Sequence, residues 1–399
     1  MVFYHFATFL SIHDIILFGI NSFYDKGFDV LSNVHEILIT GYGSGGEGVG
    51  RLEDGKVVFV RGACRGDVLK VRLTKDLPRS AWGEIVRVLK PSTHRVEPEC
   101  PHYPQCGGCD YQHMSYEHEL DIKLQRVNDA LKRIGGLDVV ADEILYTGKT
   151  VGYRNKAVFH SDGESWGFYA AGSHHVVPID RCDLLKGELN YALRGLATDG
   201  TVGELTLRSG RNGIGPPLEE ELDGLVFRVS GFFQVNTEAA VKLFQVAREY
   251  ASMSKNETLI DLYCGVGSLA LFVGRDAGRV VGVELNSASI KAARENAQRN
   301  GFSHMEFISA DVSKWTAGNI EPDCIIVDPP RNGLTKSTIK KILALSPGRI
   351  VYISCDPATL ARDIKALDEY LPVKACAVDM FPRTAHVESV VLLTRRESL

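Results

Sequence analysis

The stretch Thr258-Leu259-Ile260-Asp261-Leu262-Tyr263-Cys264-Gly265-Val266-Gly267 indicates the fold of the C-terminal part of the chain. Its apolar run predicts a buried strand, and its closely spaced glycines predict a tight turn into a helix. Strand and helix patterns alternate from about residue 231 onward, with Asn236 expected as the N-cap of the first helix. This alternation is typical of a doubly wound α/β sheet, in which ligands bind at the carboxyl ends of parallel strands.

Acidic residues stand where the next three strands are expected to end. Glu284 ends one apolar run, and Asp311 and Asp328 end the two that follow. The glycine spacing also fits the dinucleotide-binding fingerprint, which is weakly specific on its own. S-adenosylmethionine explains these acids, together with Asp261, better than a nicotinamide dinucleotide does. It carries a sulfonium and an ammonium instead of a pyrophosphate, and we find no hydride-acceptor site.

A later strand pattern ends in Ser354-Cys355-Asp356-Pro357, which places Cys355 at the carboxyl end of a strand and before a helix. A buried structural thiol in a strand-to-helix turn would give the same pattern. The alternative is a nucleophilic thiolate, whose pKa the following helix N-terminus is expected to lower. Asp356 is expected to be a turn or cap residue, and Cys264 a structural thiol. From this stretch alone both interpretations of Cys355 stay open.

Three of the nine cysteines cluster in the pattern Cys100-x5-Cys106-x2-Cys109, and Cys182 is the best candidate for a fourth ligand. A disulfide scaffold does not suit a chain of 399 residues. Zinc favours two short paired loops, whereas three clustered thiols and a distant one are common for a [4Fe-4S] centre. We therefore predict a cluster, with zinc as the alternative and His102 as a loop residue.

The N-terminal half divides into two predicted units. Short strands with glycine and proline punctuation, including a glycine-rich loop over 41–50, predict a small β-barrel over residues 36–92. This unit has ten Lys or Arg against seven Asp or Glu, although the whole chain has a formal net charge of −5. That excess fits a phosphate-binding surface or an ordinary solvated one. The pattern over residues 93–230 predicts a mostly antiparallel β region that carries the four cysteines. A helix at about 111–135 is expected to pack on the α/β domain, which spans residues 231–399.

Residues 1–35 form an N-terminal extension to which we assign no role. Its apolar stretch is interrupted by His5, His13 and Asp14 and lacks a basic leader, so it fits neither a signal peptide nor a membrane span. No later segment approaches a span. We expect a cytoplasmic protein, with no membrane association, that is a monomer.

Taken together, these motifs resemble the RNA uracil-5 methyltransferase family, in particular members with an N-terminal TRAM domain (an OB-like barrel) and a [4Fe-4S] cluster. The resemblance runs from about residue 36 to the end. It implies a Rossmann-like, doubly wound methyltransferase domain. Besides the cysteine pattern, the motifs that carry it are F-x-Q-V-N, D-L-Y-C-G-x-G, D-P-P-R, S-C-D-P-x-T-L-x-R-D and D-M-F-P-x-T-x-H-x-E.

The resemblance also implies roles for single residues. Cys355 matches the nucleophile, Glu388 the general base, and Phe232 the aromatic residue that stacks near the target base. Ser268 stands where the family often has Asn. His386 is expected to orient or pack, and Asp363 to be a structural charge paired with Arg362. The S-adenosylmethionine site would be lined by Gln234, Tyr263, Ser268, Glu284, Asp311 and Asp328, and the cluster would be held by Cys100, Cys106, Cys109 and Cys182.

The implied reaction is methyl transfer from S-adenosylmethionine to C5 of a uridine in RNA. Attack of a thiolate at C6 raises the electron density at C5, and a carboxylate must later remove the C5 proton. The target base must leave its stack, so a single-stranded or loop region is expected. We favour 23S ribosomal RNA, since barrel and cluster together are typical of that class, with transfer RNA as the alternative. A non-catalytic RNA-binding protein is disfavoured because nucleophile, base and donor acids are all present.

Overall fold

A computed structural model gives the structure of residues 33–216 and 218–396. The extension proposed for residues 1–35 therefore lies almost wholly outside the described residues. Within the described ranges, no helix is long and apolar enough to cross a membrane. The main β structures are a closed barrel, a five-stranded antiparallel sheet and an eight-stranded sheet.

The basic N-terminal segment forms a closed barrel, as the sequence predicts. Side chains alternate between the interior and the surface, so that Ile37 and Ile39 are buried and their neighbours are not. Strands occupy both ends of the stretch 41–50, which the sequence assigned to a loop. Glycine is needed there, because a Cβ on Gly50 would collide with the Ile37 side chain. The strands are β1 (Val34–Tyr42), β2 (Gly48–Arg51), β3 (Val57–Val60), β4 (Val68–Asp76) and β5 (Ser80–Lys90), in the spatial order β1-β2-β3-β5-β4.

The helix predicted over about 111–135 begins later than its apolar pattern suggests. Ser115 is the N-cap, and its hydroxyl accepts a backbone hydrogen bond from the first turn. The preceding apolar residues serve another purpose, since Tyr111 is buried in a small cluster with Cys64 of the barrel. Helix α1 spans Tyr116–Asp129 and continues as a π-helical segment over Ala130–Gly135.

The region that carries the cysteines contains the antiparallel sheet that the sequence predicts. Phe159, Ile179 and Leu189 form its core together with neighbouring apolar residues. A separate two-stranded hairpin follows it. The elements are β7 (Lys156–Asp162), β8 (Trp166–Tyr169), β9 (Val176–Pro178), α2 (Gly187–Arg194), β10 (Val202–Gly210) and β11 (Gly213–Ile214), with the sheet order β11-β10-β7-β8-β9, and the hairpin is β12 (Glu219–Leu222) and β13 (Leu225–Arg228).

The C-terminal part forms the doubly wound sheet that the alternating pattern predicts. Helices α3–α5 cover one face, whereas α6, α7 and α1 cover the other. Its elements are α3 (Thr237–Ala251), β14 (Thr258–Leu262), α4 (Ser268–Val273) with a 3₁₀ turn at Gly274–Asp276, β15 (Arg279–Glu284), α5 (Ser287–Arg299), β16 (Met305–Ser309), β17 (Cys324–Val327), α6 (Lys336–Leu345), β18 (Arg349–Ser354), α7 (Pro357–Ala366), β19 (Tyr370–Val378) and β20 (Glu388–Arg395).

The strand order of this sheet creates a binding crevice. From one edge the order is β16-β15-β14-β17-β18-β20-β19-β6, where β6 is Ala141–Leu145. The first five strands are parallel, and β20 runs antiparallel to both of its neighbours. The chain winds outward in one direction from β14 and in the other from β17. Such a switch point leaves a crevice at the carboxyl ends of the two strands.

Candidate active site

The two predicted catalytic residues lie on neighbouring strands. Cys355 directly follows β18, and Glu388 is the first residue of β20. The two strands are antiparallel, with Ser354 opposite Ser389, so that the next pair in register is Cys355 and Glu388. The structure thus brings together two residues that are 33 positions apart in the chain, at the edge where the parallel strands end.

Burial raises the pKa of the Cys355 thiol to about 11, and the neighbouring carboxyl of Glu388 adds to this shift. The guanidinium of Arg331 acts in the opposite direction. The sequence predicted a lowered pKa because a helix N-terminus follows the thiol. That prediction is wrong for this structure, since burial outweighs the helix. In addition, the N-cap Asp356 places its own carboxylate at the helix end, where it accepts the N–H of Thr359 at 2.8 Å.

Glu388 is 6 % exposed. Burial raises its pKa, and the charge of Asp328 raises it further, whereas Arg331 lowers it. A carboxyl with a raised pKa is a stronger base once it is ionised, as proton removal from carbon requires. Burial likewise raises the pKa of Asp328.

Arg331 is a functional candidate to which the sequence analysis gave no role. Its positive charge acts to lower the pKa of both Cys355 and Glu388. Its Nη2 lies 3.3 Å from Nε2 of His386. Burial and then Arg331 lower the pKa of His386 to about 4, so that this ring is neutral near pH 7. A neutral histidine in contact with arginine fits the orienting or packing role expected for His386. The position of Arg331 next to Asp328 in D-P-P-R was the signal that could have identified it.

The glycine turn lies at the switch point of the sheet. Tyr263 follows β14 with a φ of 71°, a left-handed conformation that is strained for a non-glycine residue. Gly267 has a φ of 81°, and a Cβ there would come within 3.1 Å of the Phe307 ring. The turn therefore requires small residues, and it keeps the backbone open toward the crevice. Ser268 begins α4 directly after it.

The predicted donor acids surround this turn but differ in their surroundings. Asp311 accepts hydrogen bonds from the backbone and hydroxyl of Ser313, and these bonds lower its pKa. Glu284 accepts the backbone N–H of Asn286 at 2.8 Å. Asp261 is fully buried within β14. No hydrogen bond of normal geometry from the described residues reaches its carboxylate oxygens, although the nearby backbone amide of Ala270 acts to lower its pKa. Burial and the charge of Asp328 raise its pKa well above the usual range. A bound cationic group would stabilise its ionised form.

Two residues of the F-x-Q-V-N motif differ in their exposure to solvent. Phe232 is 73 % exposed, an unusual state for a large aromatic side chain. Gln234 is buried, and its backbone carbonyl accepts a hydrogen bond from Arg208 at 2.7 Å. Asn236 is the N-cap of α3, as the sequence predicts. The motif thus ends at the start of helix α3 and leaves the ring of Phe232 exposed to solvent.

The four predicted cluster cysteines line one cavity of about 260 Å³. Burial, followed by the proximity of the other thiols, raises the pKa of Cys109 to about 12. Burial is also the main cause that raises the pKa of Cys182 to about 11. Backbone and side-chain N–H groups approach two of the sulfurs, with Gly108 N 3.4 Å from Cys106 Sγ and Gln112 Nε2 3.6 Å from Cys109 Sγ.

The side chains that the structure describes include no group of three or more His, Cys, Asp or Glu arranged to hold a metal ion. The iron–sulfur cluster therefore stays a prediction. The shared cavity, the partly buried thiols and the N–H groups facing sulfur are features that fit a cluster site.

A cleft of about 490 Å³ connects the barrel with the segment that follows the nucleophile. Its walls are the loop after β1, helix α1 and the start of α7. Three arginines line it: Arg65 from the barrel, and Arg126 and Arg133 from the helical segment. Asp356 and Pro357, directly after Cys355, form its far end. Asp129, whose carboxylate lies 3.3 Å from Arg133, and Asp356 also line the cleft, so its positive excess is small. Arginines can contact a phosphate backbone, and the sequence did not show that these arginines come together.

The chain was compared with known proteins. Residues 225–396 match the family model described as tRNA (Uracil-5-)-methyltransferase, and residues 33–86 match the TRAM domain model. A protein described as an uncharacterized RNA methyltransferase from Clostridium tetani is 31% identical, with 91% of this chain and 96% of that protein covered. One from Nostoc sp. is 34% identical with the same coverage.

Among solved structures, the tRNA (uracil-54, C5)-methyltransferase of Pyrococcus abyssi, in complex with S-adenosyl-L-homocysteine, superposes with a TM-score of 0.73 at 26% identity. The similarity covers 90% of this chain and 100% of that chain.

Proposed function

The chain belongs to the RNA uracil-5 methyltransferase family with a TRAM domain, and on that premise we propose that it methylates C5 of a uridine in RNA with S-adenosylmethionine as the donor. The observation that carries this proposal is the proximity of Cys355 and Glu388 at the edge where the parallel strands end, which is also the edge that holds the glycine turn. Thiol and carboxyl are the two groups that methylation of uracil at C5 needs.

The donor site is proposed at the switch point, with Gln234, Tyr263, Ser268, Glu284, Asp311 and Asp328 as its lining. The buried carboxyl of Asp261 and the open glycine turn support a cationic ligand there. S-adenosylmethionine, when bound, supplies a methyl group that is electrophilic because it is attached to a sulfonium. The relative from Pyrococcus abyssi, which contains the demethylated product of that donor, supports S-adenosylmethionine as the donor.

Cys355 and Glu388 would divide the remaining chemistry. The Cys355 thiolate adds to C6 of the uracil, and the electron pair of the C5–C6 double bond becomes available at C5, which takes the methyl group. Glu388 then removes the C5 proton. The electrons of that C–H bond re-form the double bond and expel the thiolate. Arg331 favours the ionised forms of both residues.

The RNA is proposed to lie in the arginine-lined cleft and to present its target base at the crevice. The cleft ends at Asp356, one residue beyond the nucleophile. Phe232 supplies an exposed aromatic face near the donor turn, which suits stacking on a base that has left its helix. The TRAM match over residues 33–86 supports RNA contact by the barrel.

Two RNA classes are candidates for the substrate. The sequence favours 23S ribosomal RNA, because barrel and cluster occur together in that class. The structural neighbour acts on transfer RNA at uracil 54, and this supports transfer RNA as the second candidate.

Methylation of ribosomal and transfer RNA in parallel with labelled donor, followed by mapping of the modified uridine, tests the proposal. We expect 5-methyluridine at one position in one of the two RNAs, with none formed by Cys355→Ser. Label on another base, or on a ribose, would overturn the proposed reaction.

A [4Fe-4S] cluster is proposed for Cys100, Cys106, Cys109 and Cys182, whose thiols share one cavity. Such a cluster would tie the loop of the first three cysteines to the antiparallel region that carries Cys182. Protein purified without oxygen should contain about four iron and four sulfide per chain and absorb in the visible range. Stoichiometric zinc in place of iron would refute this assignment.

A further inference from the structure

The segment of residues 379–387, which leads into Glu388, is named the base loop. It joins two antiparallel strands, a place where exposed turns are usual. Most of it is nevertheless buried, including Asp379, Thr384 and Val387. Such a loop is stable only when other parts of the chain satisfy its polar groups.

Helix α1 supplies one set of partners. Lys123 is fully buried, and its Nζ lies 2.7 Å from both Glu119 Oε1 and Asp379 Oδ1. The same ammonium donates to the carbonyl of Phe381 at 3.1 Å. The hydroxyl of Tyr116 donates to the other oxygen of Asp379 at 2.7 Å. The start of the base loop is therefore held by a buried ionic network.

The cysteine site supplies a second set of partners. Asp110, which directly follows Cys109, donates its N–H to the carbonyl of Arg383 at 2.9 Å. Its carboxylate accepts the N–H of Ala385 at 2.9 Å. Tyr153, which packs with Cys109 and Cys182 around the site, donates its hydroxyl to the carbonyl of Pro382 at 2.9 Å.

These contacts fix an unfavourable backbone conformation. Arg383 has a φ of 68°, in the left-handed region that a non-glycine residue adopts only when its surroundings impose it. Its N–H donates to Glu119 at 2.7 Å, and its carbonyl accepts from Asp110 and Tyr111. Helix α1 and the segment that follows Cys109, named the cysteine loop, therefore both bind the backbone of Arg383, five residues before Glu388.

We propose that Asp110 and Tyr153 are positioning residues that connect the four-cysteine site to the general base. This inference rests on the proposed function. When these contacts or the group held by the cysteines are lost, the base loop relaxes and Glu388 moves out of line with C5. Thiolate addition and methyl transfer do not use Glu388, so they continue, and proton removal becomes the slow step. The protein then accumulates as a covalent adduct with methylated RNA.

Tyr153→Phe and Asp110→Ala test this proposal, and Tyr370→Phe is the matched control. Tyr370 also donates a buried hydroxyl to a proline carbonyl at 2.8 Å, but that carbonyl belongs to Pro347, outside the base loop. We expect the turnover of Tyr153→Phe to fall roughly threefold to tenfold, which is the kinetic equivalent of one lost hydrogen bond. The adduct fraction on denaturing gels should rise, with unchanged affinity for S-adenosylmethionine. Tyr370→Phe should match the wild type.

Hydrogen exchange of the Ala385 amide gives a second readout that does not depend on turnover. In the wild-type protein we expect this amide to exchange faster after the four-cysteine site is emptied by oxidation and chelation. Unchanged exchange would overturn the connection, even if the enzyme lost activity.

The outcomes also separate this inference from the proposed function. If Glu388→Ala accumulates adduct but Tyr153→Phe and Asp110→Ala do not, the proposed reaction stands and the positioning role is wrong. If Glu388→Ala accumulates none on an RNA that the wild type methylates, the assignment of the base fails, and the positioning inference fails with it.

Discussion

The proposed nucleophile and the proposed base are supported in different ways, although they lie side by side. Cys355 is positioned by its immediate neighbours in the chain. The Ser354 hydroxyl interacts with the backbone of Asp356, and Asp356 caps the helix that follows. Glu388 is held through a loop whose partners come from α1, the cysteine loop and Tyr153, more than 200 positions away in sequence.

Cys355 is therefore held by contacts that are local in the chain, whereas Glu388 is held by contacts between segments that are distant in the chain. A strand, a cap and a helix are specified by short-range patterns, so the nucleophile is in place once β18 and α7 form. The position of the base is the joint result of several domains. The reaction can therefore be impaired at its last step by changes far from the chemistry, whereas the first step is hard to disturb without touching Cys355 itself.

We expect the largest effect from Glu388→Ala, which removes the residue of the pair that is held by long-range contacts. Loss of a general base typically costs about 10²- to 10⁴-fold in rate, and the adduct through Cys355 should accumulate because the C5 proton has no acceptor. Denaturing gels with labelled RNA measure it, and Cys355→Ala in the same background is the control that should remove the adduct. Free turnover by Glu388→Ala would contradict the assignment.

Lys123→Met should have the next largest effect, because it leaves Glu119 and Asp379 buried without their cation. Breaking a buried ion pair in this way costs about 3–5 kcal/mol in the free energy of unfolding. Urea denaturation measures the change. Lys374→Met removes a surface pair with Glu249 at 3.2 Å and should cost less than about 1 kcal/mol. If both variants lost the same free energy of unfolding, the contact of α1 with the base loop would be unimportant for stability.

The pH dependence should distinguish the two halves of the pair in single-turnover experiments. Burial raises the pKa of Glu388 to about 8, and only its ionised form can accept the C5 proton. Resolution of the adduct should therefore slow about tenfold for each pH unit below that pKa and level off above it. Formation of the adduct should keep rising at higher pH, since the pKa of Cys355 is about 11. A resolution rate that is flat between about pH 6 and 8 would contradict the raised pKa.

The smallest effect is expected for the local support of the nucleophile. Asp356→Ala removes the N-cap of α7 and should destabilise the protein by about 1 kcal/mol, as measured by urea denaturation. Asp356→Asn keeps a good capping side chain and should behave as the wild type. If Asp356→Ala destabilised as much as Lys123→Met, the distinction between local and long-range support would fail.

Prediction from the sequence succeeded where short-range patterns decide the structure. The period of apolar residues predicted the barrel, the antiparallel sheet and the doubly wound sheet, and Asn236 and Asp356 were correctly predicted as caps. Asp363 is indeed a structural charge: its carboxylate pairs with Arg362 at 2.7 Å and also accepts the hydroxyl of Tyr352. The start of α1 was misplaced because buried residues before it pack on the barrel.

Other features depend on distances between segments that are remote in the chain. The sequence could not show that burial raises the pKa of Cys355. A helix N-terminus can be recognised from neighbouring residues, whereas burial depends on the packing of distant segments. Nor could the sequence show that Arg331 contacts His386, since their proximity is set by the packing of two separate loops.

The sequence by itself determined which residues are candidates for the chemistry, because Cys355, Glu388 and the proposed donor acids occur in short patterns at strand ends. Only the tertiary structure decided how these residues are held and how they are charged. Antiparallel pairing of β18 and β20 places the base opposite the nucleophile, and α1 together with the cysteine loop fixes the base loop. Hydrogen bonds and burial between distant segments exist only after the chain has folded, and they leave no periodic pattern in the sequence.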